Sequence, residues 1–366
     1  MSFEIYLVTP PGLETALAEE ARASGFTVTA TNPGGVSLTG DWPDVWRANL
    51  SLRGATRVLA RIGEFRAFHL AQLDKRARKF DWGSVLRPDL PVRVEVSVKK
   101  SKIYHAGAAA QRIERAIHEE LGAEIAADAP VQIKARIDDN LVTLSVDTSG
   151  ESLHKRGFKE FVGKAAMREN MAAMFLHMAG YRGDEPVVDP MCGSGTFIIE
   201  AAEIAAGLLP GRTRSFGFEH LATFDEGAWD AMKKSEPREV SQRFYGSDRD
   251  AGAVKGAGDN AARAGVADLT QFTRAPLGEL TAPDGKPGLV ICNPPYGARI
   301  GERKLLFGLY ASFGQVLKER FPGWRAAIIT SDGGLAKATG LPFLPPSEPI
   351  AHGGLKVKLY QTAPLP

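Results

Sequence analysis

The sequence predicts an α/β protein: a mostly parallel sheet that ends in an antiparallel hairpin, preceded by a separate α+β region. Three observations carry the prediction. From about residue 186 onward, short apolar strands alternate with helical segments, a pattern that calls for a parallel sheet covered on both faces. At the start of that region Asp189-Pro190-Met191-Cys192-Gly193-Ser194-Gly195-Thr196 sets a small-residue loop between a buried strand and a helix. The first 150 residues also mix strands and helices but carry no glycine-rich nucleotide loop, so they form a different kind of unit.

The elements follow in order. Residues 3–8 read as a strand punctuated by Pro10-Pro11-Gly12, residues 13–23 have helical spacing, and two short strands flank the Asn32-Pro33-Gly34-Gly35 turn. In residues 92–98 valines alternate with Arg93, Glu95 and Ser97, the period of a half-buried strand. A helix follows over 108–121, then a hairpin of residues 131–137 and 141–146 around Asp138-Asp139-Asn140. Ser152 to Gly157 is polar and reads as a connector. Beyond it, strands are expected at 186–189, 243–247, 288–292 and 324–330, with helices at 196–206, 251–264 and 303–320 and a last strand at 355–361. The expected domains are 1–65, 66–152 and 173–366, with 153–172 as connector.

Hydrophobic residues make up 44% of the 366 and charged residues 24%, which excludes a disordered chain. No apolar run approaches the ~18 residues of a membrane span, and no basic start with an apolar core marks a signal peptide. The two cysteines, Cys192 and Cys292, lack metal-ligand spacing, and the seven histidines are scattered. The expectation is therefore a cytoplasmic protein without metal or membrane partner, its oligomeric state open. The net charge of +2 is uninformative, but nine basic residues face two acidic ones between Arg47 and Lys79. Lys75, Arg76, Arg78 and Lys79 are the densest group, and Lys99, Lys100 and Lys102 form a second. Such clusters bind nucleic acid by releasing counterions, or are simply solvated faces.

The chemistry concentrates at three strand ends. Gly193 and Gly195 let backbone approach a ligand at a helix N-terminus. Asp248, ending the next strand, could accept two hydrogen bonds from a ribose, whereas Asp250 is placed to cap the following helix. Asn293-Pro294-Pro295-Tyr296 directly follows the strand ending in Cys292. Two fixed acceptors, the Asn293 side-chain oxygen and the Pro294 carbonyl, would hold both hydrogens of a planar exocyclic amine and leave its lone pair toward an electrophile. The prolines stiffen the loop, and Tyr296 offers a face for a base.

Together these elements resemble a class I, Rossmann-like methyltransferase with the amine-methylating Asn-Pro-Pro-Tyr motif. Pro11-Gly12-Leu13-Glu14, the segment from Ser97 to Ile117 and Leu153-His154-Lys155-Arg156-Gly157-Phe158 are further similar to THUMP-domain RNA methyltransferases, particularly bacterial enzymes acting on guanine N2 of 23S ribosomal RNA. The resemblance implies a ferredoxin-like N-terminal unit, a THUMP domain gripping structured RNA, and a catalytic domain that binds S-adenosyl-L-methionine. Asp189, Pro190, Cys192, Gly193, Gly195, Thr196, Asp248 and Asn293 would line the cofactor, with Asn293 to Tyr296 catalytic. Lys155 and Arg156 would join the two lysine-rich clusters on RNA, and His105 and His154 are weaker candidates.

Two departures stand out. Ala165-Ala166-Met167-Arg168-Glu169 lacks the proline usual after the connector, and Pro276 stands where the family carries an aspartate for the adenine amine. Other acceptors share the chemistry: guanine N2 of transfer RNA, adenine N6 of RNA or DNA, or a glutamine amide. A non-enzymatic RNA-binding assembly factor is the remaining alternative, supported by Pro276 alone.

Overall fold

The computed structural model describes residues 2–163, 166–296 and 303–366, so Ala165 of the departing connector motif lies outside the described residues. The chain forms two units. The first comprises residues 1–9, 17–153 and 214–234, and the second residues 10–16, 154–213 and 235–366.

The first unit is built on one seven-stranded sheet. Its strands are β1 (Phe3–Val8), β2 (Thr27–Asn32), β3 (Gly35–Gly40), β4 (Arg57–Arg66), β5 (Val92–Lys99), β6 (Val131–Asp138) and β7 (Leu141–Asp147), in spatial order β2-β3-β1-β4-β7-β6-β5. The segments expected as separate domains at 1–65 and 66–152 thus share a sheet, joined where β4 pairs antiparallel with both β1 and β7. β4 is absent from the sequence expectation for a physical reason. Its register shifts between Arg61 and Gly63 where it pairs with β7, and this bulge breaks the period-2 pattern. The expected hairpin is present, with Asp139 and Asn140 both at positive φ in its turn.

Residues 214–234, expected in the catalytic domain, belong to this first unit. Arg214 donates to the carbonyls of Ser149, Glu151 and Ser152. Phe216, Phe218 and Trp229 then pack with Trp46 and Phe224 in one aromatic cluster.

The second unit holds the other sheet. Its strands are β8 (Val187–Asp189), β9 (Phe244–Asp248), β10 (Thr270–Arg274), β11 (Leu289–Cys292), β12 (Arg325–Thr330), β13 (Ile350–His352) and β14 (Leu355–Gln361), in order β10-β9-β8-β11-β12-β14-β13. The first five run parallel; β14 pairs antiparallel with β12 and with β13, the expected hairpin at the sheet edge. Val290, Cys292 and Ile328 from the sheet pack with Tyr310, Phe313 and Leu317 of the helix Arg303–Arg320. Burying each such side chain contributes roughly 1.5–3 kcal/mol. No helix among the described residues is long and apolar enough to cross a membrane.

Candidate active site

The parallel strands deliver four loops to one edge of the second sheet, at their carboxyl ends, where open α/β sheets bind ligands. Asp189 ends β8, Asp248 ends β9, Pro276 follows β10 and Asn293 follows β11.

The loop after β8 is wound tightly. The Gly195 amide donates to the Cys192 carbonyl at 2.8 Å, and the Cys192 amide donates to Ser247 at 3.0 Å. Gly193 and Gly195 have φ of +51° and +79°, backbone that a side chain disfavours. Their surroundings differ. A Cβ at Gly193 would meet nothing within 4 Å, whereas one at Gly195 would lie 3.0 Å from Ala257 and 3.1 Å from Phe272. Gly195 is required by packing against the helix Ala251–Ala264 and β10, and Gly193 is the glycine that faces open space. Thr196 is also turned inward: it is buried, and its hydroxyl donates to the Met167 carbonyl at 3.4 Å.

Asp248 is half-buried. One carboxylate oxygen accepts from the Gly193 amide at 3.1 Å and the other from the Asp250 amide at 3.0 Å. A carboxylate has about four acceptor sites, so these two bonds orient it and leave lone pairs for a ligand. Asp250 instead caps the helix Ala251–Ala264 through the Gly252 and Ala253 amides. The structure thus shows Asp250 in the capping place the sequence suggested.

Asp189 is buried and accepts from the Met191 amide at 3.1 Å. Burial pushes its carboxyl up to about 8, and the nearby charge of Asp248 adds to the effect against the Met191 hydrogen bond. Cys192 and Cys292 are buried free thiols, and burial holds both well above the usual range.

In the loop after β11, Pro294 is buried, and Asn293, Pro295 and Tyr296 are partly so. Tyr296 packs against the core cluster under β11, and burial pushes its hydroxyl up to about 12. Tyr310, fully buried on the helix behind, donates to the Pro295 carbonyl at 3.3 Å and so braces the loop.

Sequence reasoning missed two further parts. Asn260 is fully buried and donates to the carbonyls of Ser194 and Phe161 at 3.1 and 3.0 Å, tying the glycine loop to the connector. Gly256, on the same helix, leaves room for the Phe161 ring, which a Cβ would meet at 2.3 Å. A helical asparagine and a helical glycine are locally unremarkable, and only their distant partners give them meaning.

The nucleic-acid residues sort unevenly. Arg156 is 2% exposed and ion-paired at 3.2 Å with the wholly buried Glu200, so it is a core residue and the expectation of an RNA contact is corrected. Arg78 is bound to Asp74, Glu119 and Glu120, which neutralise its charge. Arg53 is buried, and Arg57 and Arg61 pair with Asp147 and Glu4, so much of the basic count between Arg47 and Lys79 is spent on the fold. Lys75, Arg76, Lys79, Lys99, Lys100, Lys102 and Lys155 are exposed. His105 caps the helix Ala106–Leu121, and His154 is half-buried, burial and Arg168 holding its imidazole down at about 4.

Comparison with known proteins supplies the lineage. Residues 156–342 match a family described as RMKL-like, methyltransferase domain, and residues 4–59 match the RlmL ferredoxin-like domain. The ribosomal RNA large subunit methyltransferase K/L of Chromohalobacter salexigens is 35% identical over 92% of this chain and 49% of its own length. A Synechocystis protein, slr0064, provisionally named an RNA methyltransferase, is 31% identical over 96% of this chain and 94% of its own. The solved structure of SMU.472, provisionally named a methyltransferase and complexed with SAH, superposes with a TM-score of 0.87 at 28% identity, covering 100% of this chain and 99% of that one. The chain spans about half the length of the K/L relatives it matches. With the glycine loop, the two aspartates and the Asn-Pro-Pro-Tyr loop converging on one strand edge, the chain belongs to the RMKL-like methyltransferase-domain family.

Proposed function

We propose that the protein is an S-adenosyl-L-methionine-dependent methyltransferase acting on guanine N2 of 23S ribosomal RNA. The observation that carries this reading is the convergence of two functionally different loops on neighbouring strands, β8 and β11. The open space at Gly193 and the free acceptor sites of Asp248 fit a nucleoside ligand with a ribose. The cofactor would supply an electrophilic methyl group on a sulfonium centre. Asn293 and the Pro294 carbonyl would orient the exocyclic amine, and Tyr296 would stack on the base once it has left its helix. Orientation and proximity carry most of the rate for such a transfer, so no strong base is required. The names of the K/L relatives support an RNA acceptor, and the resemblance to guanine-N2 enzymes supports the base and atom. THUMP-type RNA binding is proposed for residues 66–152 and a cytoplasmic location for the protein.

Pro276 is exposed and begins a short turn in which its carbonyl accepts from Glu279. An adenine amine would therefore be held by other groups of this loop.

The test is mass analysis of nucleosides from 23S ribosomal RNA incubated with cofactor and either wild type or Asn293→Ala. N2-methylguanosine is expected with the wild type and none with the variant, while calorimetry shows cofactor binding in both. N6-methyladenosine would overturn the acceptor, and full activity in Asn293→Ala would overturn the chemistry.

A further inference from the structure

Among the described residues the aromatic side chains that stand exposed are Phe68, 41% accessible, and Tyr104, 85%. Both lie at the same end of the first sheet, Phe68 just beyond β4 and Tyr104 just beyond β5. Neither sits on a loose loop. The Lys102 amide donates to the Asn140 side chain at 2.8 Å, the Asn140 amide to Ser101 at 3.0 Å, and the Ala67 amide to the Asn140 carbonyl at 2.9 Å. Asn140 thus fastens both aromatic-bearing loops to the β6–β7 turn. Tyr104 is pinned on either side, by buried Ile103 and by His105, whose ring accepts from the Ala108 amide at 3.0 Å. The fold holds both neighbours and leaves the ring in solvent.

The charge around the rings is one-sided. Arg66, Lys99, Lys100 and Lys102 are exposed, and the Lys102 ammonium lies 5.5 Å from the centre of the Phe68 ring. Of the acids at this end, Asp138 is engaged by Arg136 at 2.6 Å, which together with Lys99 and Lys100 holds its carboxyl below the usual range. Asp139 lies at the exposed turn, and Glu64, two residues before Arg66 in β4, is exposed as well.

We propose that this edge binds an unpaired nucleotide of the RNA, its base stacked on Tyr104 beside Phe68 and its phosphates on Lys99, Lys100 and Lys102. The inference rests on the RNA reading above and adds what the RNA must present. Within a duplex the phosphates are open to lysines but no base face is free, since each interior base is already stacked on both sides. An aromatic ring held out among lysines is the arrangement that single strands use, stacking for the base and cations for the backbone. Duplex recognition would need the lysines and leave Tyr104 without a role.

The experiment uses the full chain and two RNA probes, a two-strand duplex with a tail of unpaired nucleotides on one strand and the same duplex with blunt ends, with affinity read by fluorescence anisotropy. The tailed duplex is expected to bind more tightly to the wild type. Tyr104→Ala should lose roughly 5- to 100-fold on the tailed probe and leave the blunt one unchanged, while Tyr104→Phe keeps the wild-type preference. An unchanged melting temperature in Tyr104→Ala accompanies this outcome, because the ring packs on nothing. Equal affinity for the two probes, or equal losses on both, overturns the unpaired-nucleotide site alone. Failure of the wild type to bind either probe overturns the RNA reading as well. Wild-type affinity for the tailed probe in Tyr104→Ala, coupled with loss on neutralising the three lysines, leaves only a phosphate-binding face and also overturns the proposal.

Discussion

Replacing Gly193 and Gly195 separately by alanine distinguishes a glycine needed for a ligand from one needed for the fold. Both occupy left-handed backbone, which costs an L-residue roughly 1–2 kcal/mol. At Gly193 that is nearly the whole penalty, because the added methyl meets nothing within 4 Å. At Gly195 the methyl lies 3.0 Å from Ala257 and 3.1–3.2 Å from the Phe272 ring, both on packed elements, so overpacking adds roughly 1–3 kcal/mol. Gly195→Ala should therefore be less stable than Gly193→Ala by roughly 1–3 kcal/mol, read from urea denaturation midpoints at a common slope. Cofactor affinity should run the other way once fold loss is allowed for. The Gly193 methyl projects into the crevice beside the amide that orients Asp248, so calorimetry should show weakened binding by a protein that remains folded. Equal destabilisation by the two substitutions, or undiminished affinity in Gly193→Ala, would refute the assignment.

Two further outcomes follow from the aspartates. Asp189 holds its proton up to about 8 when folded, against an ordinary value of 3.8, so the folded state binds that proton more tightly than the unfolded chain. Its contribution is present in full below about pH 4 and is lost as pH rises toward 8. Asp189→Asn should flatten this slope and melt above the wild type near pH 9, and a wild-type pH profile in the variant would contradict the buried neutral acid. Asp248→Ala should weaken cofactor binding roughly tenfold to a hundredfold, while Asp250→Ala should chiefly cost about 1 kcal/mol of stability through its lost cap. Calorimetry giving the reverse pattern would exchange their roles.

What could be read in the sequence was local. The strand–loop–helix at Asp189 to Thr196, the Asp138-Asp139-Asn140 turn, the Asp250 cap and the loop after Cys292 each declare themselves within a few residues, through side-chain period, turn chemistry and small-residue spacing. They were enough to indicate the parallel sheet, its antiparallel end and the loops that meet at its edge, because the right-handed connection of parallel strands leaves few ways to arrange them.

Tertiary structure decided which side of each local feature meets solvent and which meets protein. Gly193 and Gly195 are alike in sequence and in φ, but only one has a neighbour where its Cβ would be. Arg156 and Lys155 are adjacent cations, yet Glu200, 44 residues away, takes Arg156 into the core and leaves Lys155 outside. Arg78 keeps its charge but spends it on ion pairs with Glu119 and Glu120, residues 41 and 42 positions along the chain. Residues 214–234 join the first unit because their aromatic rings find Trp46 there, a partner no local pattern points to. Charge and apolarity are properties of a residue, but burial and pairing are properties of its neighbours, and in a folded chain those neighbours come from far along the sequence.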